Sequence, residues 1–245
     1  MEMNIGLSSY YNSKWIGIFY PESVARKKWF EFYCEHFSTY ELNATFYRFP
    51  TLKSLLGWYE KSPDKFIFSV KAPKTITHLK KFIDCKKDID NFYAICSEGL
   101  GHKLGCFLFQ LPPSFTYSFE RLQLILSQLD NSFLNVIEFR HESWWLPEVY
   151  AAFTEQNISF CNVNYPKLPK DVVATNSLLY IRMHGNPKLF YSEYDTETLQ
   201  QLASEIIGKQ VQEAFVYFNN TAGAGGILNA LQMKKDTTYK PNNPT

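Results

Sequence analysis

The sequence predicts a closed (β/α)8 barrel, and three observations carry that prediction. Eight short apolar runs recur along the chain, each stopping on a polar or charged residue, with segments of helical spacing between most of them. At 245 residues the chain matches the roughly 250 typical of one such barrel. An open, doubly wound sheet also alternates strand and helix, but no Gly-x-Gly-x-x-Gly follows the first run and the eight runs leave no second lobe.

The predicted strands are 5–7, ending at Ser8; 39–42, ending at Asn43; 66–70, ending at Lys71; and 106–109, ending at Gln110. Four more follow at 135–137, 158–161, 178–181 and 214–218, ending at Glu138, Asn162, Arg182 and the pair Asn219 and Asn220. Helical spacing predicts helices over 26–37, 52–61, 88–100, 119–129, 146–156, 195–207 and 225–231. In the first of these Trp29, Phe30, Tyr33 and Phe37 line one face. The interval 165–176 is too short and Pro-rich for a helix, so the sixth connection reads as a loop and the barrel as irregular there. One domain is expected over 1–233. A flexible tail is expected over 234–245, which lacks periodicity and carries Pro241 and Pro244.

Composition narrows the class. With 45% hydrophobic and 20% charged residues the chain can bury a large core. A net charge of +1 gives no global field for nucleic acid, although Lys71, Lys74, Lys80, Lys81, Lys86 and Lys87 crowd one stretch. The five cysteines are odd in number and form no Cys-x-x-Cys pair, which argues against a disulfide framework. There is no positively charged start before an apolar core and no apolar run of about 18 residues. A soluble cytoplasmic protein with no membrane partner is the expectation.

Residues at the C-terminal ends of barrel strands converge in space. Glu41, Lys71, Gln110, Glu138, Arg140, Arg182, His184 and Asn219 are therefore expected around one cavity. That set holds two carboxylates, three fixed cations, an imidazole and two amides, and leaving such groups buried without partners costs roughly 1–3 kcal/mol each. A site explains them; a self-satisfied salt-bridge network closing the mouth is the alternative. Arg140 and Arg182 can grip a carboxylate or phosphate bidentately, and Lys71 adds a point charge. Gly185 and the glycines at 223, 225 and 226 suggest an anion beside Arg182. Tyr47 and Trp144 belong to a group of aromatics just past strand ends that suit stacking on a sugar or base.

Ordered fragments at these strand ends resemble the DUF72 (YecE-like) family. They are Glu41-Leu-Asn-Ala-Thr-Phe-Tyr, Val70-Lys-Ala-Pro with Thr77-His78, Phe109-Gln-Leu-Pro-Pro, Glu138-Phe-Arg-His-Glu-Ser-Trp, Arg182-Met-His-Gly and Tyr217-Phe-Asn-Asn. The resemblance runs from about residue 5 to 231 and implies a TIM-barrel-like fold, with little biochemistry attached. Two departures stand out: Gly6-Leu-Ser-Ser-Tyr10 replaces a Gly-Thr-Ser-Gly-Trp-like turn, and Thr221 stands where an Asp is common.

The leading expectation is an enzyme acting on an anionic sugar- or nucleotide-like small molecule, its class (hydrolase, isomerase or lyase) left open. Arg140, Arg182 and Lys71 hold the anion, Glu138 and His184 exchange protons with Glu41 as the second carboxylate, and Gln110, Asn219, Asn220 and His78 orient the substrate. No cofactor is predicted. Glu41, His78, Glu138, His141 and His184 could offer a divalent metal its ligands, but adjacent cations would repel it and no compact His-x-x-x-His spacing exists. The alternatives are a metal-dependent nuclease similar to the endonuclease IV group, and a non-catalytic module that binds a ligand or nucleic acid.

Overall fold

Side chains along a strand point alternately into the barrel and out toward the helices, and this chain fills the two sides differently. The computed structural model describes residues 1–238. Its eight parallel strands close on one another in sequence order. They are β1 (Glu2–Leu7), β2 (Thr39–Leu42), β3 (Ile67–Lys71), β4 (Leu104–Gln110), β5 (Asn135–Glu138), β6 (Ser159–Asn164), β7 (Leu178–Met183) and β8 (Glu213–Phe218). Outward residues such as Phe68, Phe107, Phe109, Phe160, Ile181 and Phe218 join the helices in the main core. Inward residues, among them Cys106, Leu108, Val136, Cys161, Leu178 and Phe215, form a second cluster inside the barrel. Fully burying one such side chain stabilises by about 1.5–3 kcal/mol.

Above a polar pair at the bottom, where Asn4 Nδ2 donates to Glu213 Oε1 at 2.9 Å, the interior passes from apolar to charged along the strand direction. Leu178 begins β7 and Phe215 is the third residue of β8; two residues further on, Tyr180 and Tyr217 bring hydroxyls inward. The Tyr217 hydroxyl meets Ser69 Oγ at 2.8 Å and also bonds Thr39. Another step of two places Arg182 and Asn219 at the top. Gly6 faces inward where β1 meets β2, and a Cβ there would lie 2.5 Å from the Thr39 carbonyl oxygen. Only glycine permits that approach.

The helices are α1 (Trp29–His36), α2 (Ala44–Tyr47), α3 (Leu52–Lys61), α4 (Lys86–Leu100), α5 (Phe119–Gln128), α6 (Pro147–Glu155), α7 (Thr196–Gly208) and α8 (Gly225–Thr238). Their ends follow local chemistry. Thr51 and Ser54 form a capping box at α3, Asp195 accepts from Thr198 N at 2.8 Å to start α7, Pro147 opens α6, and α4 stops at Gly101 with φ +51°. Among the described residues no helix joins β6 to β7, as the Pro-rich interval predicts.

Two stretches singled out in the sequence can be placed. Helix α8 continues through Thr238, so 234–238 is helical; Met233 is fully buried beneath this end and keeps the helix docked. The remainder of the expected tail, 239–245, lies outside the described residues. The lysine-rich stretch also divides: Lys80 pairs with Asp88 at 2.6 Å and Lys86 pairs with Asp90, while Lys71 turns into the barrel mouth. No described helix is long and apolar enough to cross a membrane.

Candidate functional site

At the C-terminal end of the barrel a cavity of about 540 Å³ opens between the strand-end loops. Lys71, Gln110, Arg140, Arg182 and Asn219 line it, joined by Ser8, Ser9, Asn43, Phe46, Tyr47, Pro113, Tyr165 and Phe190. Five of the expected polar residues thus share one wall with Tyr47. Glu41, Glu138 and His184 form the layer directly beneath, fully buried.

That layer is organised by Arg182, which projects across the interior from β7. Its Nε and Nη2 donate to the two carboxylate oxygens of Glu41 at 2.8 and 2.6 Å, and its Nη1 donates to Glu138 Oε2 at 2.6 Å. The Tyr180 hydroxyl and Asn43 Nδ2 complete the Glu41 carboxylate at 2.7 and 2.9 Å. Glu138 receives Arg140 Nε on its other oxygen, which also lies 3.3 Å from His184 Nε2. These are bidentate and charge-assisted bonds in a site closed to water, the geometry that compensates buried charge.

His184 lies in a chain of polar contacts. Ser8 Oγ donates to Asn219 Oδ1 at 2.5 Å, and Asn219 Nδ2 approaches His184 Nδ1 at 2.8 Å. With the Asn219 amide in this orientation Nδ1 accepts, while Nε2 lies between Glu138 Oε1 at 3.3 Å and Arg140 Nη2 at 3.1 Å. Burial first, then the guanidiniums of Arg140 and Arg182, hold the His184 pKa well below the ordinary value, so the imidazole is neutral. Burial alone would favour the protonated form of Glu138, but Arg140 and Arg182 outweigh it and keep the carboxyl well below its usual range. Reading Glu138 and His184 as base and acid conflicts with this arrangement. Neither is exposed, and a carboxylate with its lone pairs engaged by two guanidiniums is a poor proton acceptor. Glu41 is also fully buried, its two oxygens taken up by Arg182, the Tyr180 hydroxyl and Asn43.

Lys71 differs from every other charge here. Its side chain is nearly buried, at 9% exposure, with Nζ 4.3 Å from the centre of the Phe46 ring, and among the described residues it makes no hydrogen bond or ion pair. Burial, reinforced by Arg182, brings its pKa down to about 8. Arg140 lies over the Tyr165 ring at 4.3 Å and lines the cavity, with its Nη2 3.1 Å from His184 Nε2.

Three sequence expectations fall away from the cavity. Trp144 is fully buried between Phe139 and Phe115, at ring distances of 4.0 and 5.6 Å, and its Nε1 donates to the Phe115 carbonyl. Its aromatic face is spent on the core. Asn220 is also buried, donating to Ser192 O and Asn229 Oδ1, where it anchors the turn into α8. The glycine run is likewise occupied: Thr221, Ala222 and Gly223 carbonyls accept from Asn12, Lys14 and Trp15, and a Cβ on Gly226 would lie 2.9 Å from Asn220 O. Gly225 and Gly226 serve close packing, against Glu193 and Asn220, while a Cβ on Gly223 would meet open space. His78 stands behind the wall, 3.5 Å from Gln110 Nε2 and against Phe46, and burial followed by Lys71 lowers its pKa.

Sequence reasoning missed Ser8, Asn43 and Tyr180 as parts of the site. Ser8 and Asn43 occupy the same strand-end position as the residues singled out, and Tyr180 precedes Arg182 by two, on the same inward face. That period of two was the available signal. Among the described residues, no group of three or more His, Cys, Asp or Glu side chains is arranged to hold a metal ion.

A parallel eight-stranded barrel with a buried arginine–dicarboxylate layer beneath a polar mouth defines a TIM-barrel-like protein. The chain belongs to the DUF72 family: the model for "Protein of unknown function DUF72" matches residues 4–244. It is 25% identical over 252 residues to the UPF0759 protein YunF of Bacillus subtilis strain 168, covering 87% of this chain and 88% of that one. A crystal structure of a DUF72 family protein from Thermotoga maritima superposes with a TM-score of 0.87 at 28% identity, covering 98% of this chain and all of that one. A second, from Enterococcus faecalis, gives 0.83 at 21% identity over 99% and 98% of the two chains, a likeness of fold.

Proposed function

We propose that this YecE-like DUF72 protein is an enzyme of the cytoplasm that holds a small anionic molecule, phosphorylated or carboxylated, in the barrel mouth. One observation carries the reading: the mouth has a surplus positive charge. Among the described residues, Arg140, Arg182 and Lys71 face only Glu41 and Glu138, since His184 and His78 are held toward neutrality, and Lys71 is the cation left without a partner. An uncompensated ammonium is costly to bury, and an anion arriving beside it recovers that cost. The cavity volume falls within the range of small-molecule sites.

In this reading Lys71 and Arg140 meet the anion, and Gln110 and Asn219 offer amides to the remainder of the ligand. Glu41 and Glu138 position the two arginines, and His184 ties Asn219 to Glu138. Sugar- or nucleotide-like ligands suit a wall that includes Tyr47, Phe46 and Tyr165. The five cysteines are all free, which agrees with a reducing compartment.

Titration calorimetry with inorganic phosphate and with ribose 5-phosphate, against chloride at equal ionic strength, tests the proposal. Both phosphates are expected to bind, and Lys71→Met and Arg140→Ala to weaken binding at least tenfold, the loss of about 1.4 kcal/mol or more. Phosphate heats indistinguishable from chloride would refute the reading. A steep salt dependence of binding to single-stranded DNA, with no phosphate binding, would favour a nucleic-acid module instead.

A further inference from the structure

We propose that Lys71 is a nucleophile whose amine forms an imine with the carbonyl carbon of a small aldehyde or ketone that also carries a carboxylate or phosphate. The inference rests on the anion-binding reading above and names the substrate class for it. Lys71 ends strand β3, at the face of the barrel where reacting groups stand. Lys71 lines the mouth cavity together with Arg140, its Nζ against the Phe46 ring and, among the described residues, with no carboxylate within ion-pairing distance. Among the described residues the other cations of the site, Arg140 and Arg182, are tied to glutamates, which fixes them in position, whereas Lys71 keeps its nitrogen available. Burial and the neighbouring Arg182 bring the ammonium to about 8, so about half is free amine at pH 8, against roughly one part in 300 for an ordinary lysine.

The step balances without an added redox partner. The lone pair of the neutral amine forms the C–N bond while the carbonyl π pair moves to oxygen, and one amine proton passes to that oxygen, giving a carbinolamine. Its hydroxyl then takes a proton from solvent and leaves as water, the C–O bond breaks, and the nitrogen lone pair forms the C=N bond of a protonated imine. Arg140 holds the carboxylate or phosphate at the far end of the molecule, which orients the carbonyl toward Nζ.

The test is reductive trapping on the full chain. Glyoxylate or glyceraldehyde 3-phosphate is incubated with the protein and sodium cyanoborohydride at pH 8, and adducts are located by peptide mass mapping. The expected result is preferential labelling of Lys71, about 100-fold faster than an exposed lysine from the difference in free-amine fraction alone, suppressed by inorganic phosphate and lost in Lys71→Arg. Mapping on the unaltered protein does not depend on a variant folding. Adducts spread evenly over surface lysines, with phosphate still binding by calorimetry, would overturn the nucleophile and leave the anion site standing. Even spread with no phosphate binding would overturn both.

Discussion

Lys71→Met is expected to stabilise the protein at neutral pH. Methionine keeps much of the lysine's length and apolar volume and removes a charge that burial disfavours. The Lys71 pKa falls from 10.5 to about 8, first through burial and then through Arg182. At about 1.4 kcal/mol per unit, holding that ammonium in the folded protein at pH 7 costs about 3 kcal/mol. In the unfolded chain the amine keeps its proton up to about 10.5, whereas in the folded protein it releases it near 8. The cost is therefore complete below pH 8 and fades as the pH rises toward 10.5. Urea unfolding of the two proteins side by side should show the variant ahead by about 2–3 kcal/mol at pH 7 and by less than about 1 at pH 10. Saturating phosphate should narrow the pH 7 gap by stabilising the parent chain preferentially. A variant less stable than its parent at pH 7, or a gap that ignores pH, would show that Lys71 has a partner in solution and that the mouth carries no surplus charge.

Glu138→Gln takes from Arg140 the carboxylate it pairs with and leaves Arg182 only its bond to Glu41, and should cost about 3–5 kcal/mol in the same unfolding measurement. Because the Glu138 pKa is lowered on folding, its contribution is present above the unfolded value near 4.5 and is lost as the pH falls toward the folded one; a loss under 1 kcal/mol would mean the layer is not closed to water. Trp144→Ala should cost about 3–5 kcal/mol while leaving phosphate affinity unchanged, and weakened binding by calorimetry in a folded variant would return Trp144 to the site. Gly6→Ala should destabilise by about 1–3 kcal/mol because its Cβ meets the Thr39 carbonyl. Gly57→Ala, inside α3 with no atom within 4 Å of the added carbon, should instead gain up to about 1 kcal/mol, and equal thermal shifts for the two would contradict this packing.

The barrel was legible because its signal is repeated: each apolar run and each helical stripe is a short-range pattern set by side-chain burial. The rim was legible for the same reason, since a strand-end position implies a place on the ring. Pairing was not. Nothing in the order Glu41, Glu138, Arg182 states that the arginine lies between the two carboxylates, because that depends on which strands face each other across the interior. Burial depth was equally hidden. One residue of register separates a cavity wall from the packing behind it, so Trp144, four residues beyond Arg140, folds back between Phe115 and Phe139. Asn219 and Asn220 share a composition and differ in direction: one meets His184, the other braces the loop before α8.

The reach of Arg182 has a mechanical consequence. It joins β7 to β2 and to β5, strands that are not neighbours in the sheet, so it acts as a tie-rod across the bore. Hydrogen bonds around the wall fix the spacing of adjacent strands, but only a link across the middle fixes the aperture. Widening the mouth would require pulling buried ions apart, so a ligand meets a rim of set diameter instead of one that adapts to it. Phe46 and Tyr47, on α2 above the rod, take no part in that link, so exchanging them would leave the rod in place.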